Sequence, residues 1–192
     1  MRVVGGQYKN RKLVAPKGDN TRPTLDKTRE ALFDILNAHL KKKGQKWQDI
    51  VFLDVFAGTG AVGIEALSRG AKKAFFVENN AEALDCIRQN TQGMDNAVIC
   101  ALDAALPPFT SVPADIVFLD APYYLQLWEK ALIALKNNGW LTTQTTIVVE
   151  VASKEDVVFP TDFEADSERV YGKNKLLFCR LKELKKLNNK GE

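Results

Sequence analysis

Short apolar runs that alternate with segments of helical periodicity constrain the fold of this chain more than any other feature. The apolar runs lie near residues 51–55, 74–77, 97–100, 115–119 and 146–151, and the helical segments near 24–40, 60–68, 80–91 and 124–136. Strands that alternate with helices pair in parallel through right-handed crossovers, and the helices cover both faces of the sheet. The pattern therefore predicts an α/β fold with a mostly parallel sheet.

The two ends of the chain depart from this alternation. Short extended pieces around Gly5-Gly6 and Asn10 predict a hairpin-like N-terminal extension. Residues 167–170 and 175–181, on either side of Gly172, predict an antiparallel hairpin in the last third of the chain. Added to the five parallel strands, this hairpin gives a seven-stranded sheet.

The first apolar run enters a glycine turn that opens a helix, which is typical of a cofactor site. Residues 51–55 are followed by Phe56-Ala57-Gly58-Thr59-Gly60. Glycines let the backbone come close to a ligand, and the helix N-terminus presents unpaired N–H groups. The next apolar run ends on Glu78, whose carboxylate suits both hydroxyls of an adenosine ribose. We therefore expect a nucleotide-like cofactor at this edge of the sheet.

A nicotinamide dehydrogenase is an alternative interpretation of the same turn. Residues 58–63 satisfy the pattern G-x-G-x-x-G, and Glu78 has the spacing of a dinucleotide fingerprint. Against it, Asp54 lies inside the preceding strand, where a carboxylate suits the cationic amino group of a methionine-like moiety better than a pyrophosphate. The chain also shows no obvious second mononucleotide-binding half.

Asp120-Ala121-Pro122-Tyr123, which follows the apolar run 116–119, has the chemistry to hold a planar exocyclic amine. The Asp120 carboxylate and the carbonyl of Ala121 can accept its two N–H bonds. Pro122 stiffens the loop, and Tyr123 offers a ring on which a base can stack. A hydride-transfer enzyme has no use for this tetrapeptide, so it favours an enzyme that alkylates an amine.

Together these motifs resemble the bacterial RsmD family of S-adenosylmethionine-dependent, Rossmann-like methyltransferases. The resemblance also rests on Arg2 to Leu13, on Arg22-Pro23-Thr24 and on Thr28-Arg29-Glu30-Ala31-Leu32-Phe33. It implies transfer of a methyl group from S-adenosylmethionine to guanine N2 in small-subunit (16S) ribosomal RNA. It also implies a cofactor-binding set of Asp54, Phe56, Ala57, Gly58, Gly60, Glu78, Asn79, Asp103 and Ala104.

One residue departs from the family pattern, and one assignment has a structural alternative. The family generally carries proline where this chain has Ala121, which keeps the carbonyl acceptor but changes the rigidity of the loop. In the resembling class, an acid at Asp103 takes the adenine amino group, and the backbone of Ala104 contacts the ring. Asp103 could instead cap a short helix over residues 104–106.

Positive charge is concentrated near the start of the chain. Residues 1–48 hold 12 Lys and Arg against 4 Asp and Glu, whereas the remainder holds 15 against 20. We therefore divide the chain into a basic extension, 1–24, and a methyltransferase domain, 25–192. The predicted RNA-binding residues are Arg2, Lys9, Arg11, Lys12 and Arg22. Phosphate backbone is the natural partner of such an extension, although a merely solvated basic surface remains an alternative.

Composition narrows the classes of protein that remain. The three cysteines follow no metal-ligand spacing, and their odd number argues against a disulfide framework, which favours the cytoplasm and predicts no metal site. No apolar stretch reaches the roughly 20 residues of a membrane span. Two rival functions stay open: a DNA adenine-N6 methyltransferase, which would need a target-recognition insertion, and a non-catalytic RNA-binding protein of ribosome assembly.

Overall fold

The computed structural model describes residues 1–16, 23–122 and 126–183, with the side chains of 23–25 excepted. In this part of the chain, seven strands form one sheet: β1 Val51–Val55, β2 Lys73–Glu78, β3 Ala97–Ala101, β4 Ile116–Leu119, β5 Thr146–Ala152, β6 Phe163–Tyr171 and β7 Asn174–Leu181. The same residues contain four α-helices: α1 Pro23–Lys43, α2 Ala61–Ser68, α3 Ala81–Asn90 and α4 Leu127–Asn137. A short 3₁₀ helix, Trp47–Asp49, leads into β1.

The sheet has the strand order β3-β2-β1-β4-β5-β7-β6. The first five strands pair in parallel, and β7 pairs antiparallel with both β5 and β6. The predicted α/β class, the seven strands and the antiparallel C-terminal hairpin are confirmed. Because β1 lies between β2 and β4, the chain reverses its direction of travel across the sheet beside β1, and ligands bind at such a switch point.

Two predicted element starts differ from the structure by three or four residues. Strand β6 begins at Phe163, whereas the sequence predicted a start at residue 167. The prediction was wrong because two of the first residues of β6 are acidic and hide the strand pattern. In the structure, Glu164 and Asp166 pair with Arg180 on β7 at 2.7 and 2.8 Å. Helix α4 begins at Leu127 rather than near 124, and residues 123–125 lie outside the described part.

Alternate residues of the strands face two apolar layers. Phe52, Phe118 and Val148 point to the layer that contains α1, and Leu53, Val117 and Ile147 point to the layer that contains α4. On α4, the buried residues Trp128, Leu132 and Leu135 form the face that packs against the sheet. The period-two alternation therefore fixes which side chains face α1 at the carboxyl ends of the strands.

The N-terminal extension is hairpin-like, as predicted. Arg2 and Lys12 form an antiparallel bridge, and the side chains of Val3 and Leu13 are buried in the same apolar layer as α1. The backbone N–H of Val4 donates to Glu65 at 2.8 Å. The backbone N–H of Val14 donates to the side chain of Asn90 at 2.7 Å. These contacts fix the extension against α2 and α3, while the division of the chain at residue 24 stays a prediction.

Candidate functional site

The carboxyl ends of β1, β2 and β4 meet at one cleft, with a volume of about 600 Å³. Its lining comes from Phe56, Gly58, Glu78, Asn79, Asn80, Asp103, Ala105, Asp120, Ala121, Pro122 and Leu127. A cleft of this size suits a nucleoside-sized ligand. Eight of these residues are predicted cofactor or catalytic residues, so the structure brings members of both predicted sets together.

A second cavity, of about 230 Å³, lies between the sheet and α1 and shares Phe56, Gly58 and Asp120 with the cleft. Its other lining residues are Met1, Thr28, Arg29, Leu32, Asp54, Ala57, Thr59, Ala61, Val62, Phe118 and Glu150. A larger open groove of about 1010 Å³ lies elsewhere, and its described lining includes no predicted site residue. The chemistry therefore concentrates at the two adjoining cavities.

The backbone of the glycine turn is arranged around open space. Gly58 has a φ of 55°, and a Cβ built there would meet no atom within 4 Å. Phe56 also has a positive φ, 61°, which is unusual for a residue with a side chain and is stabilised only by its surroundings. The turn closes through a 2.7 Å bond from the N–H of Gly60 to the carbonyl of Ala57. A ligand can approach this backbone closely.

Asp54 lies on β1, and its buried carboxyl group contacts the first turn of α2. Its side chain is 2% exposed, and its Oδ2 accepts the N–H of Gly63 at 2.8 Å. Burial raises the pKa of Asp54 to about 8, the Gly63 hydrogen bond opposes that rise, and the charge of Glu78 adds to it. A cationic group of a ligand would compensate this buried charge.

Glu78 is held by three backbone N–H groups. Its Oε2 accepts from Gly58, and its Oε1 accepts from Asn79 and Asn80, each at 2.9 Å. A carboxylate offers about four lone-pair positions, so roughly one remains for a ligand. The assignment of both ribose hydroxyls to Glu78 stays a prediction, and in this arrangement it requires the carboxylate to release some of its backbone partners.

Asp103 lines the cleft, and its surroundings correct one structural expectation. Its Oδ1 accepts the N–H of Ala105 at 2.8 Å, and its carbonyl accepts the N–H of Leu106 at 2.9 Å. These bonds form a turn, so the alternative interpretation, a short helix over residues 104–106 capped by Asp103, was wrong. The side chain of Ala104 is buried in the apolar layer of α4, and Ala105 lines the cleft. The contact of the Ala104 backbone with the adenine ring stays a prediction.

The loop after β4 is anchored to β1 by a bond from the N–H of Asp120 to the carbonyl of Val55 at 3.2 Å. The side chain of Ala121 is buried in the α4 layer, and Pro122 lines the cleft. Asp120 is exposed to the cleft, yet the surrounding protein raises its pKa by desolvation, and the charges of Glu150 and Asp54 raise it further. Tyr123 lies outside the described residues.

Two further charged residues line the smaller cavity, and neither was predicted as a site residue: Glu150 and Arg29. Glu150 is 8% exposed, sits near the end of β5, and accepts a hydrogen bond from the side-chain nitrogen of Asn174 on β7. Arg29 is 5% exposed and pairs with Asp26 at 2.8 Å. Glu150 follows the apolar residues 147–149 just as Asp120 follows 116–119, so the same pattern could also have indicated Glu150.

Four of the predicted RNA-binding residues, Arg2, Lys9, Arg11 and Lys12, lie on the described part of the N-terminal extension, and Arg22 lies outside the described residues. Arg2, Lys9 and Lys12 are exposed. Arg11 is partly buried and donates to the carbonyl of Gln92 at 3.1 Å, so part of its charge is committed to the fold.

Neither a metal centre nor a membrane span is found in the described part of the molecule. There, no group of three or more His, Cys, Asp or Glu side chains is arranged to hold a metal ion. Within the same ranges, no helix is both long enough and apolar enough to cross a membrane.

Comparison with known proteins identifies the family. The model of the family described as "Conserved hypothetical protein 95" matches residues 1–180. The chain belongs to this family. It is the RsmD family, so the resemblance seen in the sequence is confirmed.

Relatives of the RsmD family match nearly the full chain. The chain is 32% identical to "Ribosomal RNA small subunit methyltransferase D" of Escherichia coli strain K12, over 90% of this chain and 85% of that protein. The same name belongs to a Haemophilus influenzae relative with 30% identity, over 90% and 89% of the two chains. The solved structure of the Escherichia coli protein yhhF is 31% identical and covers 96% of this chain and 99% of its own, with a TM-score of 0.79.

Proposed function

We propose that this protein transfers a methyl group from S-adenosylmethionine to the exocyclic N2 of a guanine in small-subunit ribosomal RNA. The observation that carries the proposal is the position of Asp120, which lines both the cofactor-sized cleft and the cavity beside Asp54. Membership of the RsmD family and the names of its relatives support the same activity. We further propose that the protein works in the cytoplasm on an assembling ribosomal particle.

The residues of the cleft fit the adenosine part of the cofactor. The space beside Gly58 admits a ligand against the backbone, and Glu78 keeps a lone-pair position for a ribose hydroxyl. Asp103 faces the same cleft with a carboxylate that suits an amino group of the adenine ring. Asn79 lines the cleft beside Glu78.

The smaller cavity fits the cationic, amino-acid part of the cofactor. Asp54 and Asp120 both line it, and neither carboxylate has a salt-bridge partner among the described residues. Ionising the buried Asp54 without a counter-charge is costly, and a ligand ammonium or sulfonium group would offset that cost. The dehydrogenase alternative would place an anionic pyrophosphate at the glycine turn, close to these carboxylates.

The chain's own residues bind and orient the nitrogen that reacts. Asp120 and the carbonyl of Ala121 accept the two N–H bonds of the amine, and Tyr123 stacks on the base, which is turned out of its helix or loop. When bound, the cofactor would supply an electrophilic methyl group, and its sulfur would keep the electron pair of the bond that the attacking nitrogen replaces. The nitrogen then loses one proton to Asp120 or to water. Alignment of nitrogen and methyl supplies much of the rate gain.

The experiment that tests this function incubates the purified protein with labelled cofactor and partly assembled small subunits, followed by mass mapping of methylated nucleosides. We expect N2-methylguanosine with the native protein. Asp120→Ala and Tyr123→Ala should lose most of the methylation but keep cofactor affinity, and loss of the stacking ring should cost roughly 1–3 kcal/mol. Asp120→Asn should lose less, because its amide oxygen still accepts one hydrogen bond.

Asp115→Asn is a matched control, since Asp115 lies at the opposite end of β4 and accepts the N–H of Val51 at 2.8 Å. Its amide oxygen can keep that bond, so methylation should be unchanged. Methylation of adenine in DNA, or wild-type turnover by Asp120→Ala, would contradict the proposed function. Binding to small subunits with no methylated product would favour the non-catalytic alternative.

A further inference from the structure

Three carboxylates form a row on the face of the sheet that packs against α1. Asp54 on β1, Asp120 after β4 and Glu150 on β5 all line the 230 Å³ cavity. The register pairs Leu119 with Val149, so Asp120 and Glu150 are the next residues on adjacent parallel strands. Neighbouring strands lie about 4.8 Å apart, which makes these two carboxylates direct neighbours.

Glu150 is fixed in this row by β7. Asn174 is two residues from Leu176, the partner of Glu150, and therefore lies on the same face of the sheet. Its side-chain nitrogen donates to Oε1 of Glu150. This hydrogen bond favours the ionised form of Glu150, although burial raises its pKa.

The charges around Glu150 leave the row negative. The cavity's described lining contains one basic residue, Arg29 on α1, and its Nη2 is already bonded to Asp26 and to the carbonyl of Arg2. The acidic groups that line the cavity are Asp54 from β1 and Asp120 after β4. From β7, Lys175 alternates to the opposite face, where its Nζ donates to the carbonyl of Glu155 at 3.0 Å.

We propose that Glu150 is a positioning residue whose charge, fixed beside Asp120 by Asn174, makes Asp120 the group that takes the proton from the amine. The inference rests on the proposed function. Two adjacent carboxylates repel each other, and uptake of one proton relieves that repulsion. The nitrogen lone pair forms the bond to the methyl carbon, the C–S pair stays on sulfur, and one N–H proton passes to Asp120. Water removes this proton after the product leaves.

The test compares the pH dependence of kcat in the native protein and in Glu150→Gln, which keeps the shape and the hydrogen bond to Asn174. Without the neighbouring charge, Asp120 should ionise more easily, so the acidic limb of the profile should move to lower pH by about one unit. Asn174→Ala should move it in the same direction, because Glu150 then holds the proton more readily than Asp120. Asp115→Asn should not move it.

A titration without RNA distinguishes failure of the inference from failure of the proposed function. The carboxyl carbon of Asp120, labelled with ¹³C and assigned by its absence in Asp120→Asn, should titrate at lower pH in Glu150→Gln and in Asn174→Ala than in the native protein. Titration at the same pH in all three proteins would overturn the inference, whichever RNA is methylated. Failure of the native protein to methylate ribosomal RNA would instead overturn the proposed function.

Discussion

Cofactor binding should release a proton from Asp54, and the effect is large enough to measure. The pKa of this carboxyl is about 8, so it is mostly protonated at neutral pH before a ligand arrives. A bound ammonium or sulfonium group favours the ionised form. If only that form binds S-adenosylmethionine, roughly a tenth of the protein is competent at pH 7 and about half at pH 8, so affinity should rise about fivefold over this interval.

The perturbation is Asp54→Asn, whose side-chain oxygen can still accept the N–H of Gly63. This variant should bind the cofactor more weakly and with nearly flat pH dependence between pH 6 and 8. Isothermal titration calorimetry in two buffers with different ionisation enthalpies measures the proton release directly. We expect close to one proton per cofactor for the native protein at pH 7, and much less for the variant.

Asp54→Asn, which should weaken cofactor binding, should raise the stability of the protein at alkaline pH. A carboxyl that ionises at about 8 in the folded protein and near 4 in the unfolded chain holds its proton more tightly when folded. Its contribution therefore lowers the free energy of unfolding as pH rises from about 4 to about 8. Asp54→Asn removes this loss, so its Tm relative to the native protein should be higher at pH 8 than at pH 5. Equal proton release in both proteins, or no change in relative Tm with pH, would refute the reasoning.

Two further predictions concern packing and RNA contact. Gly63→Ala places a Cβ 2.4 Å from the ring of the buried Phe76. Urea titrations should therefore show a free energy of unfolding lower by about 1–3 kcal/mol. Unchanged stability would contradict this close packing. Replacing Arg2, Lys9 and Lys12 by Gln should reduce the magnitude of the log–log salt slope of RNA binding by about 2–3, if each contacts one phosphate, without changing cofactor affinity. An unchanged slope would reassign the extension to fold stability.

The sequence predicted the architecture well because each strand–helix unit carries a local signal. The apolar run 51–55 is β1 with unchanged bounds, and the helical segment predicted near 124–136 contains α4 except for its last residue. The start of β6 was missed for a physical reason: Glu164 and Asp166 are stabilised by Arg180 on β7, a partner that no local pattern reveals.

One general rule predicts part of the site from the sequence: ligand-binding polar residues lie at the carboxyl ends of parallel strands. This rule correctly places Asp54, Glu78 and Asp120 at one edge of the sheet. It could not reveal that Glu78 is already held by three N–H groups, because those bonds depend on the path of the backbone after β2. Nor could it pair Glu150 with Asn174, since that contact depends on the antiparallel register of β5 and β7.

The carboxylate row connects the stability of the fold to its chemistry. Asp54, Asp120 and Glu150 lie on three adjacent strands beneath α1, where apolar residues would pack without electrostatic cost. The alternating faces of the same strands place Val55, Leu119 and Val149 in the other layer, so the sheet could have kept an apolar surface here. The row of acids lowers the free energy of unfolding of the ligand-free protein. A cationic ligand and a substrate that releases a proton would offset this loss, which explains why acids lie here. The carboxyl ends of the strands thus favour ligand binding and reduce the stability of the fold, and the packing of the rest of the sheet compensates for that reduction.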